Sequence, residues 1–286
     1  MRTFYLGVGA QKAGTTWLFK QIIKSDNFRR GFSKEYHLFD ALYLNDGKSA
    51  RANVSKRIKN YPFQEGEFFL EKYKNIMLSF YADKKNYYDY FDSILTDDDS
   101  FSSDITPSYS GLSSEVLFEI KEEFKRRDIS LKIVFIMREP ITRLESAIRM
   151  QMKRKKCLRE LSSVDMTKKM FDSLNSTSDR SRSDYLYTCQ QIDKVFSNDE
   201  VFYGFYETLF SQIEIVKLSS FFNMRPHEFD ASNIVNSTIK PFKYSLQDVN
   251  DFQTSVTDRY QFVLDRFDFD LSVWNEAVYN MVDEMS

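Results

Sequence analysis

Short apolar runs alternate with longer amphipathic stretches along this chain. Three runs are almost continuously apolar and predict buried β-strands: residues 3–8, 131–137 and 200–205. Parallel strands show this unalternating pattern because helices cover both faces of their sheet. Apolar residues recur at helical spacing in seven further stretches: 15–25, 71–95, 113–127, 140–156, 184–197, 208–222 and 258–283. The order of these elements predicts an α/β fold with a parallel central sheet flanked by helices.

Polar and charged stretches complete the predicted organisation. Residues 96–104 and 175–184 are rich in Asp, Ser and Asn, which favours loops. Stretch 41–100 is long, charged and rich in tyrosine, and predicts helices that cover one edge of the sheet. We therefore expect one domain over residues 1–286, with variable helical insertions at about 41–100 and 150–182.

Composition narrows the possible functions only a little. A chain of 286 residues can bury a large core, and its formal net charge of −2 creates no general attraction for nucleic acid or anionic membranes. Cys157 and Cys189 lack metal-ligand spacing and predict two free thiols, with one disulfide as the alternative. No apolar run approaches the roughly 18 residues of a membrane-spanning helix. If Met1 is the natural start we expect a cytoplasmic protein, although a shortened form of an anchored enzyme would have the same sequence.

The segment GVGAQKAGTTWLF, residues 7–19, joins the first predicted strand to a helix. Backbone N–H groups in such a loop bind anions, because they are unpaired donors at the positive end of the helix dipole. Gly9 and Gly14 have the spacing of a Walker loop, but Thr15 occupies its lysine position and Lys12 is the only lysine in the loop. The pattern predicts a 5′-phosphate site; an ordinary strand–turn–helix corner is the alternative.

The loop sequence KAGTTWL resembles the 5′-phosphosulfate-binding loop of sulfotransferases, in which a lysine precedes the glycine. The resemblance implies a P-loop NTPase-like fold and an enzyme whose donor is 3′-phosphoadenosine 5′-phosphosulfate (PAPS). A lysine in this position would meet the oxygen that bridges the 5′-phosphate and the sulfonyl group. A tryptophan in this position stacks on adenine in cytosolic members of the family. The implied donor-binding residues are Lys12, Ala13, Gly14, Thr15, Thr16 and Trp17.

A second motif, IVFIMREPITRLESAI, places an arginine at the end of a predicted strand and a serine eight residues later. The sulfotransferase resemblance implies that Arg138 and Ser146 bind the 3′-phosphate of the donor. An arginine fork suits phosphate because it can donate two hydrogen bonds at once. Alternatively, Arg138 pairs with Glu139 or Glu145. We expect Arg143 to be a solvated helix residue.

The segment SKEYHLFD, residues 33–40, resembles the K-E-x-H-[FL]-F segment of carbohydrate-type and many bacterial sulfotransferases. The resemblance implies that Glu35 is the general base. Because side chains alternate along extended backbone, Glu35 and His37 are expected on one side, with His37 as an orienting group or a second base. The implied catalytic residues are thus Lys12, Glu35 and His37. The alternative for Glu35 is a surface acid paired with Lys34.

Further segments agree with the family more weakly. SSDITPSYS, residues 102–110, resembles a segment that lines the acceptor side, and NSTIKPFKY, residues 236–244, resembles the loop that closes over the donor. The closing loop makes Lys240, or alternatively Lys243, a candidate contact of the 3′-phosphate; a basic surface loop is the other interpretation. RSDYLYTC and EVFYGFYETLF resemble the R-[GS]-x-Y helix and the strand–Y-E-x-L unit of the family.

The resemblance as a whole implies a sulfotransferase that moves a sulfuryl group from PAPS to a hydroxyl of a sugar, glycan or small metabolite. Phenols, amines and protein tyrosines stay open as acceptors. We expect no metal, because the donor carries no triphosphate, and no nucleic-acid partner. A P-loop kinase is one alternative, but it would need a lysine after Gly14. A non-catalytic nucleotide-binding protein is the other, and it would not need Glu35.

Overall fold

The structure is a computed structural model that describes residues 1–44, 67–155, 161–174, 176, 182–231 and 242–283, without the side chains of 67–71. Its centre is a four-stranded parallel sheet with the order β2-β1-β3-β4. The strands are β1 Thr3–Gly9, β2 Phe101–Ile105, β3 Ser130–Met137 and β4 Val201–Phe205. The predicted α/β class is confirmed. Because β1 and β3 are parallel neighbours, the loops that follow them leave from the same edge of the sheet.

Twelve α-helices are present in the described part of the chain. They are α1 Thr15–Ile22, α2 Leu38–Tyr43, α3 Glu67–Ala82, α4 Lys85–Ile94, α5 Ser114–Lys125, α6 Pro140–Arg154, α7 Ser163–Leu174, α8 Tyr185–Asp193, α9 Gln212–Phe221, α10 Leu246–Thr254, α11 Thr257–Arg266 and α12 Ser272–Tyr279. Every stretch predicted to be helical contains at least one of them. The last predicted stretch contains two, because the chain between Arg266 and Ser272 leaves the helical conformation.

The chain forms two compact units, each built from separate stretches. The first unit contains Met1–Gly9, Phe19–Phe135 and Gln190–Phe202, and the second contains Ala10–Leu18, Ile136–Cys189 and Tyr203–Ser286. In the first unit the ring of Phe4 on β1 packs against Phe91 of α4 and Phe124 of α5, with centroids 4.4 Å apart in both pairs. Since β1 is an interior strand, α4 covers a face of the sheet, and the prediction that this region covers a sheet edge is wrong for α4.

The core of the second unit lies between the apolar face of α6 and the helices that pack on it. Buried residues of α6, α7, α10 and α12 form this cluster, among them Ile141, Leu144, Ile148, Met166, Met170, Phe252 and Val278. Pro140 occupies the first turn of α6, where its missing N–H costs no hydrogen bond. This packing anchors the helix that begins two residues after Arg138.

Strand β2 corrects the sequence interpretation, which assigned residues 96–104 to a loop. Ser102, Ser103 and Asp104 are at most 2% exposed although all three are polar. Asp104 accepts hydrogen bonds from the hydroxyl groups of Thr106, Tyr109 and Tyr87, and these partners make its burial possible. The strand was missed because the partners that satisfy Asp104 include Tyr36 and Tyr87, which are distant in sequence.

Two further observations concern the cysteines and the search for membrane-spanning helices. Cys189 is buried, and Cys157 lies outside the described residues. Within the described residues, no helix combines the length and the apolar character needed to cross a bilayer.

Candidate active site

The loop between β1 and α1 contains two residues that depart from ordinary backbone geometry. Lys12 and Gly14 both adopt positive φ, 71° and 82°. The positive φ favours glycine at position 14, and a β-carbon there would also make a tight contact of 3.0 Å with Cδ2 of Leu209. Helix α1 then begins at Thr15. The local chain therefore presents a helix N-terminus, a recognised anion-binding geometry, immediately after a strand.

Lys12 lies in a strongly positive part of the second unit. Burial lowers its pKa, and the positive charges of Arg138, Arg149, Arg154 and Lys153 lower it further. Within the described residues, no carboxylate forms an ion pair with Lys12. Arg149 pairs with Glu145 at 3.8 Å, but the cations around Lys12 still repel its ammonium, and a bound anion would relieve this repulsion.

Arg138 is held in place from several directions. Its Nη1 donates a hydrogen bond to the carbonyl oxygen of Lys12 at 2.8 Å, and its guanidinium carbon lies 4.4 Å from the ring centroid of Tyr206. The hydroxyl of Tyr185 donates to the carbonyl oxygen of Arg138 at 2.5 Å. The buried Nε of Arg138 has no hydrogen-bond partner among the described residues. This orphaned donor fits an anionic oxygen supplied by a ligand.

Both carboxylates that were alternative partners of Arg138 have other roles. Glu139 caps the N-terminus of α6 by accepting from the backbone N–H groups of Ile141 and Thr142, at 2.8 and 2.5 Å. Glu145 accepts from the backbone N–H of Phe242 at 2.9 Å. The cap is favourable because these N–H groups have no partners within the helix. Within the described residues neither carboxylate forms an ion pair with Arg138, although the positive charge of Arg138 favours the ionised form of Glu145.

Two acidic residues lie beside Arg138, the buried Glu139 and the partly exposed Glu207. Glu139 is 0% exposed, and its carboxylate also accepts a hydrogen bond from the hydroxyl of Tyr260 at 2.8 Å. Glu207 accepts from the backbone N–H of Glu139 at 3.0 Å and from the indole of Trp274 at 2.9 Å. Burial raises the pKa of Glu139 to about 7 against the hydrogen bonds that favour its charged form, and the negative charge of Glu207 raises it further.

This raised pKa predicts that thermal stability falls as the pH rises from about 5 to 7. Folded Glu139 retains its proton up to about pH 7, whereas the unfolded carboxyl loses it near its usual value of 4.5. The folded state therefore binds more protons across this window, and the free energy of unfolding decreases with pH there and levels off above it. Asp104, whose pKa burial raises to about 6, acts in the same direction.

The check is a melting curve at several pH values for the wild type and for Glu139→Gln. A shift of one pKa unit corresponds to about 1.4 kcal/mol, so a decrease of several degrees is expected in the wild type. The variant should show a clearly shallower pH dependence. Identical slopes in the two proteins would rule out Glu139 as a source of the effect.

Other predicted donor residues have more varied environments. Thr15 is buried and Thr16 is partly exposed at the start of α1, and Ser146 is partly exposed in the second turn of α6. Trp17 is 1% exposed, its indole N–H donates to the carbonyl oxygen of Asp230 at 2.9 Å, and its ring packs edge-to-face on Phe210. An indole covered in this way has a packing role, and its placement does not support stacking on an adenine.

Three more basic residues are placed as follows. Arg143 is 1% exposed, so the prediction of a solvated residue is wrong; it lies on the buried face of α6. Lys243 donates to the carbonyl oxygens of Asn280 and Val282, both at 3.1 Å. Lys240 lies outside the described residues.

The candidate base lies in the first unit, in the segment that precedes α2. Glu35 accepts from Nζ of Lys34 at 2.8 Å through one carboxylate oxygen, and its other oxygen lies 3.2 Å from Nε2 of His37. The second ring nitrogen of His37, Nδ1, lies 3.0 Å from the carboxylate of Asp40. The imidazole is therefore bracketed by two carboxylates, an arrangement that fixes its orientation.

Glu35 is ionised at neutral pH. Burial raises its pKa, but the hydrogen bond with His37 and the charge and hydrogen bond of Lys34 outweigh burial and lower the pKa to about 2. An ionised carboxylate can accept a proton, yet with these partners in place it is a weak base. Loss of the hydrogen bond from Lys34 or His37 would raise its pKa.

Comparisons with known proteins agree with this geometry at the level of fold. No protein-family model matches the chain, and no curated protein matches it. Among solved structures, the chain is similar to a sulfotransferase from Alicyclobacillus acidocaldarius, with a TM-score of 0.52 and 14% identity over 96% of this chain and 99% of that chain. This chain has the sulfotransferase fold.

Two further sulfotransferase structures are more distant. The sulfotransferase domain of the Synechococcus PCC 7002 olefin synthase has a TM-score of 0.47 and 13% identity, over 89% of this chain and 94% of that chain. A sulfotransferase from Mycobacterium avium has a TM-score of 0.46 and 11% identity, over 94% of this chain and 77% of that chain.

Three contacts around Arg138 were not predicted from the sequence, which named Glu139 only as a possible ion-pair partner. Tyr206 stacks on Arg138, Tyr185 binds its backbone, and Glu139 caps the next helix. Tyr185 and Tyr206 belong to segments whose family resemblance was noted, so a signal existed for them. Their contacts with Arg138 depend on tertiary structure and could not be derived from local pattern.

Proposed function

We propose that this protein transfers a sulfuryl group from PAPS to a hydroxyl acceptor. The observation that carries the proposal is Arg138, whose guanidinium is stacked on Tyr206, anchored to the Lys12 carbonyl, and left with a buried Nε that no described protein group accepts from. A planar cation immobilised with an unused donor suits a phosphate oxygen. Lys12 supplies a second positive charge in the same unit.

The donor has two separate anionic groups, and two elements of the second unit could hold them. The loop residues Lys12, Ala13, Gly14, Thr15 and Thr16 would bind the 5′-phosphosulfate through backbone N–H groups, hydroxyls and one ammonium. Arg138 and Ser146 would bind the 3′-phosphate, with Lys240 as a further contact from the closing loop. The adenine is left to groups other than Trp17, since that indole is already covered.

The chain's own residues account for each charge in the reaction. Glu35 takes the proton from the acceptor hydroxyl while the acceptor oxygen bonds to sulfur. The bond between sulfur and the bridging oxygen breaks, and its electron pair stays on the 5′-phosphate. Lys12 stabilises that developing negative charge, and Arg138 with the loop amides keeps the reacting groups in line. His37, held by Asp40, orients Glu35 or serves as a second base.

A carbohydrate or small-molecule hydroxyl is the proposed acceptor. A hydroxyl is a weak nucleophile, and the Glu35–His37–Asp40 arrangement offers an oriented proton acceptor for it. No metal is required in this scheme, because a fixed lysine and a fixed arginine supply the positive charge that a metal supplies in triphosphate chemistry.

The function is tested by incubating the protein with PAPS and a panel of hydroxyl compounds, namely glucose, N-acetylglucosamine, glycerol and phenol. The proposal predicts acceptor-dependent release of 3′-phosphoadenosine 5′-phosphate and a sulfated product detected by mass spectrometry. Consumption of ATP in the presence of magnesium, without consumption of PAPS, would contradict the proposal and favour a kinase.

Replacing Arg138 with alanine is expected to weaken binding of 3′-phosphoadenosine 5′-phosphate by roughly 10- to 100-fold. The variant loses charge-assisted hydrogen bonds worth about 1.5–3 kcal/mol. Binding of AMP, which lacks the 3′-phosphate, should change less than about threefold, and calorimetric titration measures both affinities. Arg225→Ala is a suitable control, because Arg225 lies in the same unit and is largely exposed. Equal losses for both nucleotides in Arg138→Ala would eliminate the assignment of Arg138 to the 3′-phosphate.

A further inference from the structure

His37 has an unusual backbone conformation for a residue with a side chain. It is the N-cap of α2 and lies in the left-handed region, at φ 55° and ψ 27°. A β-carbon disfavours this region, so surrounding contacts must hold the residue there. The conformation directs both ring nitrogens to carboxylates, at 3.2 Å from Glu35 and 3.0 Å from Asp40.

Two side chains just after strand β2, those of Thr106 and Tyr109, accept hydrogen bonds from the backbone N–H groups around His37. The N–H of Tyr36 donates to Oγ1 of Thr106 at 3.1 Å and lies 3.2 Å from the carboxylate of Asp104. The N–H of His37 reaches the same Thr106 oxygen at 3.5 Å. The N–H of Leu38 donates to the hydroxyl of Tyr109 at 3.1 Å.

Asp104 determines which way these hydroxyl groups point. Thr106 donates its proton to Oδ1 of Asp104 at 2.6 Å, and Tyr109 donates to Oδ2 at 2.8 Å. A hydroxyl has one proton and two lone pairs, so a hydroxyl that donates to Asp104 can offer only lone pairs to the backbone N–H groups. Because their protons are bound to Asp104, Thr106 and Tyr109 act as hydrogen-bond acceptors for the backbone of residues 36–38.

A third hydroxyl on the same carboxylate provides a contrast. Tyr87 donates to Oδ2 of Asp104 at 3.0 Å, which completes the set of donors around a side chain that is 0% exposed. Within the described part of the chain, the Tyr87 hydroxyl makes no hydrogen bond to the backbone of residues 36–38. Tyr87, Thr106 and Tyr109 therefore share Asp104 as their acceptor. Only Thr106 and Tyr109 also bind the backbone of residues 36–38, next to Glu35.

We infer that Asp104, Thr106 and Tyr109 are positioning residues that hold the His37 imidazole against Glu35. All of these residues belong to the first compact unit. The inference rests on the proposed function for its catalytic consequence, since that function assigns the proton transfer to Glu35. The network is expected to set the position of the His37 ring whether or not a substrate is bound.

The test compares Thr106→Val with Tyr87→Phe. Each variant is nearly isosteric and removes one hydroxyl from Asp104, and each is expected to lower the melting temperature by about 2–4 °C. Only Thr106→Val removes an acceptor of the 36–38 backbone. It should shift the NMR resonance of the His37 ring Cε1–H and lower PAPS turnover about 10-fold or more. Tyr87→Phe should leave the resonance in place and turnover within about twofold.

The chain makes the spectroscopic measurement simple, because His37 and His227 are its only histidines. A His227→Gln variant assigns the two signals. Binding of 3′-phosphoadenosine 5′-phosphate should be unchanged within about twofold in both test variants, since the proposed donor residues lie on other elements. If Thr106→Val does not fold, Tyr109→Phe provides the same comparison by removing the acceptor for the Leu38 N–H.

Equal movement of the His37 resonance in both variants, or no movement in either, would overturn the inference and leave Asp104 with a purely structural role. Failure of the proposed function has a different signature. In that case the wild type neither binds 3′-phosphoadenosine 5′-phosphate nor consumes PAPS, while the comparison of His37 resonances still decides whether the network positions the ring.

Discussion

Glu35→Gln is expected to lower the turnover of PAPS by roughly 100-fold or more while the affinity for 3′-phosphoadenosine 5′-phosphate stays within about twofold. Glutamine keeps the shape of the side chain, but it cannot accept the proton of the acceptor hydroxyl. The donor-binding residues proposed here lie in the second unit, whereas Glu35 lies in the first. The expected split between turnover and binding follows from this division of roles.

The lowered pKa of Glu35 also affects how the stability of the protein depends on pH. Its folded pKa of about 2 lies below the usual value of 4.5, so its interactions stabilise the folded state above pH 4.5 and are lost as the pH falls toward 2. Because the side chain is 35% exposed, solvent screens much of this energy, and Glu35→Gln should lower the melting temperature only slightly at pH 7. A large loss of turnover therefore cannot be attributed to unfolding.

Glu123→Gln is a matched control for this experiment. Glu123 lies in the same unit, is partly buried, and forms an ion pair with Arg127 at 2.9 Å. The control should keep full turnover. Unchanged turnover in Glu35→Gln would remove Glu35 as the base, and a selective loss in His37→Gln would then transfer that role to the histidine.

Lys12→Met is expected to lower the single-turnover rate at saturating PAPS by about 100- to 1,000-fold. Methionine retains most of the length and apolar surface of the side chain but removes the ammonium that stabilises charge on the leaving oxygen. Lys12 already has a lowered pKa, because burial and four neighbouring cations disfavour its charge. Part of this unfavourable energy is relieved when negative charge develops next to it, which favours the transition state over the ground state.

Binding of 3′-phosphoadenosine 5′-phosphate should weaken by at most about 10-fold in Lys12→Met, since Arg138 and the loop amides remain. Lys20→Met is the control, because Lys20 is an exposed residue of the last turn of α1. A variant with an unchanged maximal rate and a raised KM for PAPS would contradict the account, and would limit Lys12 to ground-state binding.

The elements that form the candidate donor site could be predicted from the sequence because each is encoded in a short stretch of the chain. A buried strand, a glycine at a position that requires positive φ, and a helix start occur within residues 3–22, and Arg138 directly follows another buried strand. Such elements are set by hydrophobic periodicity and local backbone preference. The roles of these residues remain proposals, whereas the fold that brings them together is observed.

The features that sequence reasoning missed depend on contacts between distant residues. Strand β2 appeared to be a loop because burial of Asp104 is made favourable by Tyr36, Thr106, Tyr109 and Tyr87, and two of these lie far away in sequence. Trp17 and Arg143 have sequence neighbours typical of a ligand contact and of a solvated helix, yet tertiary packing buries both. Hydrophobic periodicity and secondary-structure propensity do not determine which buried polar groups form hydrogen bonds with distant residues.

If Arg138 binds a 3′-phosphate, this chain distinguishes adenine nucleotides by that group, and a calorimetric titration of the wild type measures the difference. The ligands are 3′-phosphoadenosine 5′-phosphate, AMP, ADP, and ATP with magnesium, and no acceptor is needed. The account predicts that the 3′-phosphorylated nucleotide binds at least about 10-fold more tightly than AMP and ADP, in accordance with an arginine contact worth about 1.5–3 kcal/mol. Equal affinity for all adenine nucleotides, or binding of ATP with magnesium alone, would contradict it.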